Sequence, residues 1–251
     1  MTETPSENGT QRVALVTGAA GGLGREFAIA LAARGHRVAG LDLADMSATA
    51  ALIPGGRFLP VRADVTDPEE VGAAVEEAAD HFGGLHIVVN NAGIYPPLPF
   101  EETTLEDWRR IMRVNLDGPF LVTRAALPHL KAAGWGRVVN IASAVVFLGP
   151  PELVAYTTSK SGLVGFTRAL ASAVGADGIT VNAIAPGLTR TATAARSTGA
   201  DGGFERVRGL QAVPATGQPA DLVSTLLYVC DEGSGFLTGQ TINVDGGSAK
   251  H

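Results

Sequence analysis

The chain predicts an α/β fold, a doubly wound sheet of seven parallel strands with helices on both faces, and two observations lead there. Short apolar runs alternate with longer helical patterns from residue 12 almost to the end, the rhythm of repeated β-α-β units. Runs such as Ile87-Val88-Val89 and Val138-Val139-Asn140-Ile141 are apolar at consecutive positions. Both faces of such strands are covered, as in parallel sheets flanked by helices.

In chain order, strands are expected at 13–17, 37–41, 56–63, 85–90, 136–143, 179–184 and 241–244, where apolar and β-branched residues cluster. Helices are expected near 23–34, 45–52, 68–82, 104–133, 155–176 and 219–230. Asp67-Pro68 and the Thr103-Thr104 region ahead of Glu106 are recognisable helix starts. The stretch 189–218, rich in Thr, Ala and Gly, reads as an insertion over the sheet's edge, and a lid is placed near 188–212. Residues 1–11 are polar, with neither a basic nor an apolar segment, and read as a disordered tail. Residues 12–251 read as one domain.

The 251 residues are 45% hydrophobic, enough for a large core. A net charge of −6 with no basic patch argues against a nucleic-acid partner and for a small molecule. No apolar run approaches the roughly 18 residues a membrane span needs, so no membrane partner is expected. The single cysteine, Cys230, excludes an internal disulfide and suits a reducing, cytoplasmic location. Its neighbours Leu226, Leu227 and Val229 make it a core residue, so redox chemistry must come from a cofactor. No metal site is expected.

A glycine-rich turn follows the first strand and opens the first helix: Thr17-Gly18-Ala19-Ala20-Gly21-Gly22-Leu23-Gly24. Gly18, Gly22 and Gly24 allow close backbone approach, and the helix N-terminus at Leu23 favours a pyrophosphate. Asp42 ends the second strand, where a carboxylate accepts from the adenosine ribose and repels a 2′-phosphate. No arginine or lysine lies within 41–45, so the cofactor reading is NAD. Asp64 and Val65 after the third strand approach the adenine, and Asn91-Ala92-Gly93 after the fourth border the cofactor, since ligands bind at strand carboxyl ends.

Tyr156 and Lys160 are four residues apart in a helical stretch and share a face. At ~4 Å and an effective dielectric of ~20, a lysine ammonium stabilises a phenolate by ~4 kcal/mol. That bounds the shift at about three pKa units and brings a phenol near ~7, where it can exchange a proton with an alcohol. Tyr-x-x-x-Lys alone is often a solvated helix face. Its company here is Ser143, which could otherwise cap a turn, and Asn115, which could otherwise hold a helix kink.

Together, Thr17-Gly18-x-x-x-Gly22-x-Gly24, Asn90-Asn91-Ala92-Gly93, Asn115, Ser143, Tyr156-x-x-x-Lys160 and Pro186-Gly187 resemble the short-chain dehydrogenase/reductase family over nearly the whole chain. The resemblance implies a Rossmann-type domain and hydride transfer between NAD(H) and a carbonyl or alcohol. Tyr156 would be the acid/base, and Lys160 would lower its pKa and hold the nicotinamide ribose. Ser143 would bind the substrate oxygen, and Asn115 would hold a relay water. Pro186, Gly187 and Thr191 would line the nicotinamide. A homotetramer is implied, packed through the helices near 104–133 and 155–176.

Further segments, among them 91–96, 133–137, 165–170 and 190–193, are similar to the NAD-dependent 1-phenylethanol dehydrogenase branch, which implies an aryl ketone or secondary alcohol. Residues 210–212 and 217–219 are also similar to pyridoxal 4-dehydrogenase. Tyr95, Val145, Phe147, Leu148, Leu188 and Phe204 are the candidate apolar pocket, or else ordinary core. A serine hydrolase would need Gly-x-Ser-x-Gly, which is absent. A non-catalytic NAD sensor would not need Tyr156, Lys160 and Ser143. An acyl-chain 3-ketoreductase is the nearest enzymatic rival; it would usually use NADPH, against which Asp42 argues.

Overall fold

The computed structural model describes residues 10–198 and 202–250, so most of the expected N-terminal tail lies outside the described residues. Seven strands form one sheet: β1 Val13–Thr17, β2 Arg37–Asp42, β3 Phe58–Arg62, β4 Ile87–Asn90, β5 Gly136–Ile141, β6 Ile179–Pro186 and β7 Thr241–Val244. They run β3-β2-β1-β4-β5-β6-β7, every neighbouring pair parallel. The order reverses between β1 and β4, which opens a crevice at their carboxyl ends, the place where such sheets bind ligands.

Alternation along β1 shows why both faces are closed. Leu15 enters the core shared with Val75, Phe82, Val122 and Leu130, while Ala14 and Val16 enter the core shared with Phe27, Leu31, Leu226 and Val229. The first core lies under α3 (Pro68–Phe82), α5 (Gly118–Ala132) and α7 (Val154–Val174); the second lies under α1 (Gly22–Ala33) and α10 (Val223–Cys230). Cys230 sits in the second core, where burial pushes its thiol up to about 12.

The helix starts follow local chemistry. Asp67 accepts from Glu69 N at 2.8 Å and Glu70 N at 3.0 Å and so caps α3, whose first residue is Pro68. A reciprocal capping box opens α4 (Leu105–Met112), formed by Thr104 and Asp107 rather than by Thr103 and Glu106. The single helix expected over 104–133 is interrupted: a π turn, Arg113–Asp117, separates α4 from α5. The helix expected near 45–52 is α2 (Ser47–Ala50); three short helices went unforeseen, α6 (Val145–Leu148) and, within the expected insertion, α8 (Ala192–Thr198) and α9 (Gly203–Leu210). No described helix is long and apolar enough to cross a membrane.

Candidate active site

Ser143 lies two residues past β5, while Tyr156 and Lys160 lie in the first turns of α7. The two elements are packed so that the Ser143 hydroxyl faces the Tyr156 phenol closely enough to pull its pKa down. Lys160 is buried; its Nζ donates to Ile141 O at 2.7 Å and stands 5.8 Å from the Tyr156 ring centroid. Tyr95 leans on the other side, its ring centroid 5.8 Å from that of Tyr156. Space here is tight: a Cβ on Gly93 would lie 3.2 Å from Asn115 Oδ1 and 3.5 Å from Lys160 Nζ.

The electrostatics correct one expectation. Burial pushes the Tyr156 phenol up to about 12, with the Ser143 hydroxyl pulling the other way and Tyr95 adding a small push. Burial also brings Lys160 down to about 8. The ammonium reaches a carbonyl, not the phenol oxygen, and desolvation outweighs its field. A phenol near 7 is therefore not what the protein alone creates.

Asn115 sits in the π turn, fully buried. Its Oδ1 accepts from Ile94 N at 2.9 Å, and its Nδ2 donates to Ile94 O at 2.8 Å and to Ser159 Oγ at 3.0 Å. The side-chain amide is thus spent on bracing the Ile94 backbone against α7. A relay water would have to use the backbone carbonyls whose register the π turn shifts.

At the other end of the crevice, Gly18 bends the chain at φ 70° and Gly24 packs on it: a Cβ on Gly24 would lie 2.1 Å from Gly18 O. Helix α1 has Gly21 at its N-cap, with no side-chain cap and no acidic residue in its first turn, and no atom lies within 4 Å of where a Gly21 Cβ would be. Uncapped amides facing open space fit an anionic pyrophosphate. Asp42 Oδ2 accepts from Ala20 N at 2.9 Å and its Oδ1 from Ala44 N at 3.0 Å, which fixes the carboxylate beside this turn. Thr17 Oγ1 accepts from Asn91 N and Ala92 N, both at 3.0 Å, so Asn91 and Ala92 tie β4 to the turn.

The remaining residues fall along the same rim. Asp64 Oδ1 accepts from Thr66 N at 2.8 Å, and Val65 packs where a Gly118 Cβ would be, at 3.1 Å. Pro186 O accepts from Ala144 N at 2.9 Å, joining β6 to the Ser143 loop. Thr191 Oγ1 accepts from Ala194 N at 3.1 Å, and its methyl lies 3.4 Å from where a Gly22 Cβ would be. Leu23 packs against the second core. Val145 N donates to Ser143 Oγ at 3.4 Å, and Leu188 is half-buried at the foot of the insertion. Phe204 is different: it is 5% exposed and covered by Arg190, whose guanidinium stands 4.7 Å over its ring.

A family model described as enoyl-(acyl carrier protein) reductase matches residues 18–249. The chain belongs to the short-chain dehydrogenase/reductase family. It is 35% identical over 246 residues to a 3-oxoacyl-[acyl-carrier-protein] reductase of a Synechocystis strain, covering 95% of this chain and 97% of that one. It is 39% identical over 241 residues to the (2S)-[(R)-hydroxy(phenyl)methyl]succinyl-CoA dehydrogenase subunit BbsD of Thauera aromatica, covering 94% and 96%. The crystal structure of a provisionally assigned short-chain alcohol dehydrogenase from Sinorhizobium meliloti 1021 superposes with a TM-score of 0.92 at 36% identity, over 97% of this chain and 98% of that one. As a short-chain dehydrogenase/reductase, the protein is an oxidoreductase of a family that uses nicotinamide cofactors.

Two residues of this short-chain dehydrogenase/reductase site escaped the sequence reading. Arg25 donates through Nη2 to Ala20 O and through Nε to Thr49 Oγ1 at 3.1 Å; Thr49, fully buried, donates to Ala19 O at 2.9 Å. Arg62 Nε donates to Leu43 O at 3.3 Å. Two cations therefore flank the Asp42 region in space although the window 41–45 holds none. Only long-range contacts bring them there.

Proposed function

We propose that the protein interconverts a secondary alcohol and a ketone with NAD(H), on an aryl or otherwise hydrophobic substrate. The observation behind this is the convergence of Ser143, Tyr156 and Lys160 at one end of a crevice whose other end is an uncapped helix N-terminus beside Asp42. Gly18, Gly22, Leu23 and Gly24 would hold the pyrophosphate, and Asp42 the adenosine ribose. Asp64 and Val65 would flank the adenine; Asn91, Ala92, Gly93, Pro186, Gly187 and Thr191 would border the nicotinamide half. NAD(H), when bound, supplies the hydride chemistry.

The chain's own residues move the proton. Ser143 and Tyr156 stand together, and a substrate oxygen beside them would be held and its developing charge stabilised. With its phenol pushed up to about 12, Tyr156 is a proton donor at neutral pH, the state that ketone reduction requires. Alcohol oxidation needs the ionised phenol, so its rate is expected to climb with pH. Lys160 supplies a positive charge 5.8 Å from the Tyr156 ring centroid.

Tyr95, against Tyr156, with Val145 and Leu188 forms the proposed apolar wall under a lid over 188–212. The named activity of the Thauera relative, on a phenyl-bearing hydroxy compound, supports an aryl substrate. The Synechocystis relative supports a second reading, reduction of a 3-oxoacyl thioester. Exposed Leu105 and Phe120 on α4 and α5 support the homotetramer, and the lone buried Cys230 is compatible with the cytoplasm. The test is a panel of aryl ketones, secondary alcohols, pyridoxal and a 3-oxoacyl thioester, read by NADH absorbance. Tyr156→Phe is expected to cut turnover by ~10²–10⁴ while NADH still binds; undiminished turnover would overturn the mechanism.

A further inference from the structure

The sequence after β7 does something that the proton chemistry does not use. Asp245 is buried, and its carboxylate takes three donors from the residues that follow: Gly247 N at 2.9 Å on Oδ1, then Ser248 Oγ at 2.6 Å and Ala249 N at 2.7 Å on Oδ2. Gly246 and Gly247 take left-handed φ of 66° and 78°, which the winding requires. Asn243 Nδ2 closes the turn on Ala249 O at 3.1 Å.

This turn touches two functional segments at once. On one side Gly187 N donates to Val244 O at 2.9 Å, and a Cβ on Gly187 would lie 2.8 Å from Asp245 Cα, so the turn backs directly on the proposed nicotinamide segment. On the other, Asp245 O accepts from Gln211 Nε2 at 2.9 Å and Gly246 O from Val213 N at 2.8 Å. A Cβ on Gly246 would be 3.1 Å from the Gln211 side chain, and one on Gly247 3.0 Å from Ala212 Cβ. Residues 211–213 are the returning arm of the insertion that carries α8 and α9. Its outgoing arm is pinned separately, Arg190 N donating to Gly217 O at 2.8 Å. A cavity of about 520 Å³ runs beside the joint, lined by Val213, Asn243, Asp245 and Lys250 among others.

We propose that Asp245 is the positioning residue that latches the returning arm of the lid against the cofactor segment, through the turn it winds and the Gln211 bond that turn offers. The role in cofactor binding rests on the NAD(H) reading above. Losing the carboxylate loosens the arm without touching Ser143, Tyr156 or Lys160. It therefore weakens cofactor binding more than it slows the reaction of the saturated enzyme.

The test uses the whole chain and two variants, Asp245→Asn and Gln211→Ala. The second leaves the turn wound and removes only the side-chain latch, so it carries the test if the first fails to fold. Arg190, Arg196, Arg206 and Arg208 are exposed in the lid, which makes trypsin a direct probe. Without cofactor, both variants are expected to be cut in the lid about tenfold faster than the parent, and NADH affinity read by fluorescence titration to fall by about the same factor. Turnover at saturating cofactor should stay within about twofold. Lid cleavage of Gln211→Ala at the parental rate overturns the latch. If the parent itself does not bind NADH, the cofactor reading fails, and the cleavage rates still judge the latch.

Discussion

Lys160 shows how a single side chain trades stability for chemistry. Its folded pKa, about 8 against an ordinary 10.5, means that the native state resists protonation. Between those values the unfolded chain binds the proton and the native state does not, so stability rises with pH from 8 to 10.5; below 8 both states are protonated and the full penalty stands. The burden at pH 7 is about 3 kcal/mol, while the Ile141 bond returns about 1 kcal/mol. Lys160→Met is therefore expected to stabilise the ligand-free protein by about 2 kcal/mol at pH 7 and to abolish the rise above pH 8, read by urea denaturation at several pH values. Asp42 gives the second residue-scale expectation. Asp42→Ala should narrow the preference for NAD over NADP, because Arg25 and Arg62 stand nearby to meet a 2′-phosphate; an unchanged ratio in paired kinetic titrations would show that another group selects. The spacing of Tyr156, Lys160 and Ser143 was legible in the sequence because a helix and a strand end place them locally. The phenol's upward shift was not, since burial belongs to the fold, and Arg25 with Thr49 depends on contacts 24 residues apart.

At the scale of elements, the glycine-rich turn is the strictest. Gly24→Ala places a methyl against the Gly18 carbonyl, at a separation real atoms do not tolerate. The turn must open, and NADH affinity should fall at least ~100-fold while far-UV circular dichroism stays close to the parent's; near-parental affinity would show that the turn is not the pyrophosphate site. Strand positions and the α3 start at Asp67 were legible because apolar runs and N-caps are local signals. The π turn at 113–117 was not. Asn115 between Val114 and Leu116, and Gly118-Pro119 directly after the turn, mark a break in the helix, but neither says that its hydrogen bonds slip to a π register. In α8 and α9 the Thr-, Ala- and Gly-rich composition concealed the helices, although Thr191, which accepts from Ala194 N, is a local N-terminal signal.

For the whole molecule, the sheet is the common frame: β1, next to its central strand β4, joins the two cores and carries the glycine-rich turn on its end. Leu15, fully buried, is expected to cost about 3–5 kcal/mol on Leu15→Ala, read as a lower urea midpoint, with cofactor affinity little changed because Thr17 and Asn91 still fix the turn. A loss of affinity matching the loss of stability would show that the crevice lacks that independent bracing. Alternating β and α patterns made a parallel sheet legible, but the strand order came only with the long-range pairings, β1 with β4 above all. One buried atom offers a clock for this assembly. The Cys230 thiol, sealed beneath α10, meets a thiol reagent only when that layer lifts from the sheet. With no second cysteine in the chain to blur the signal, the rate of its modification counts those openings one by one.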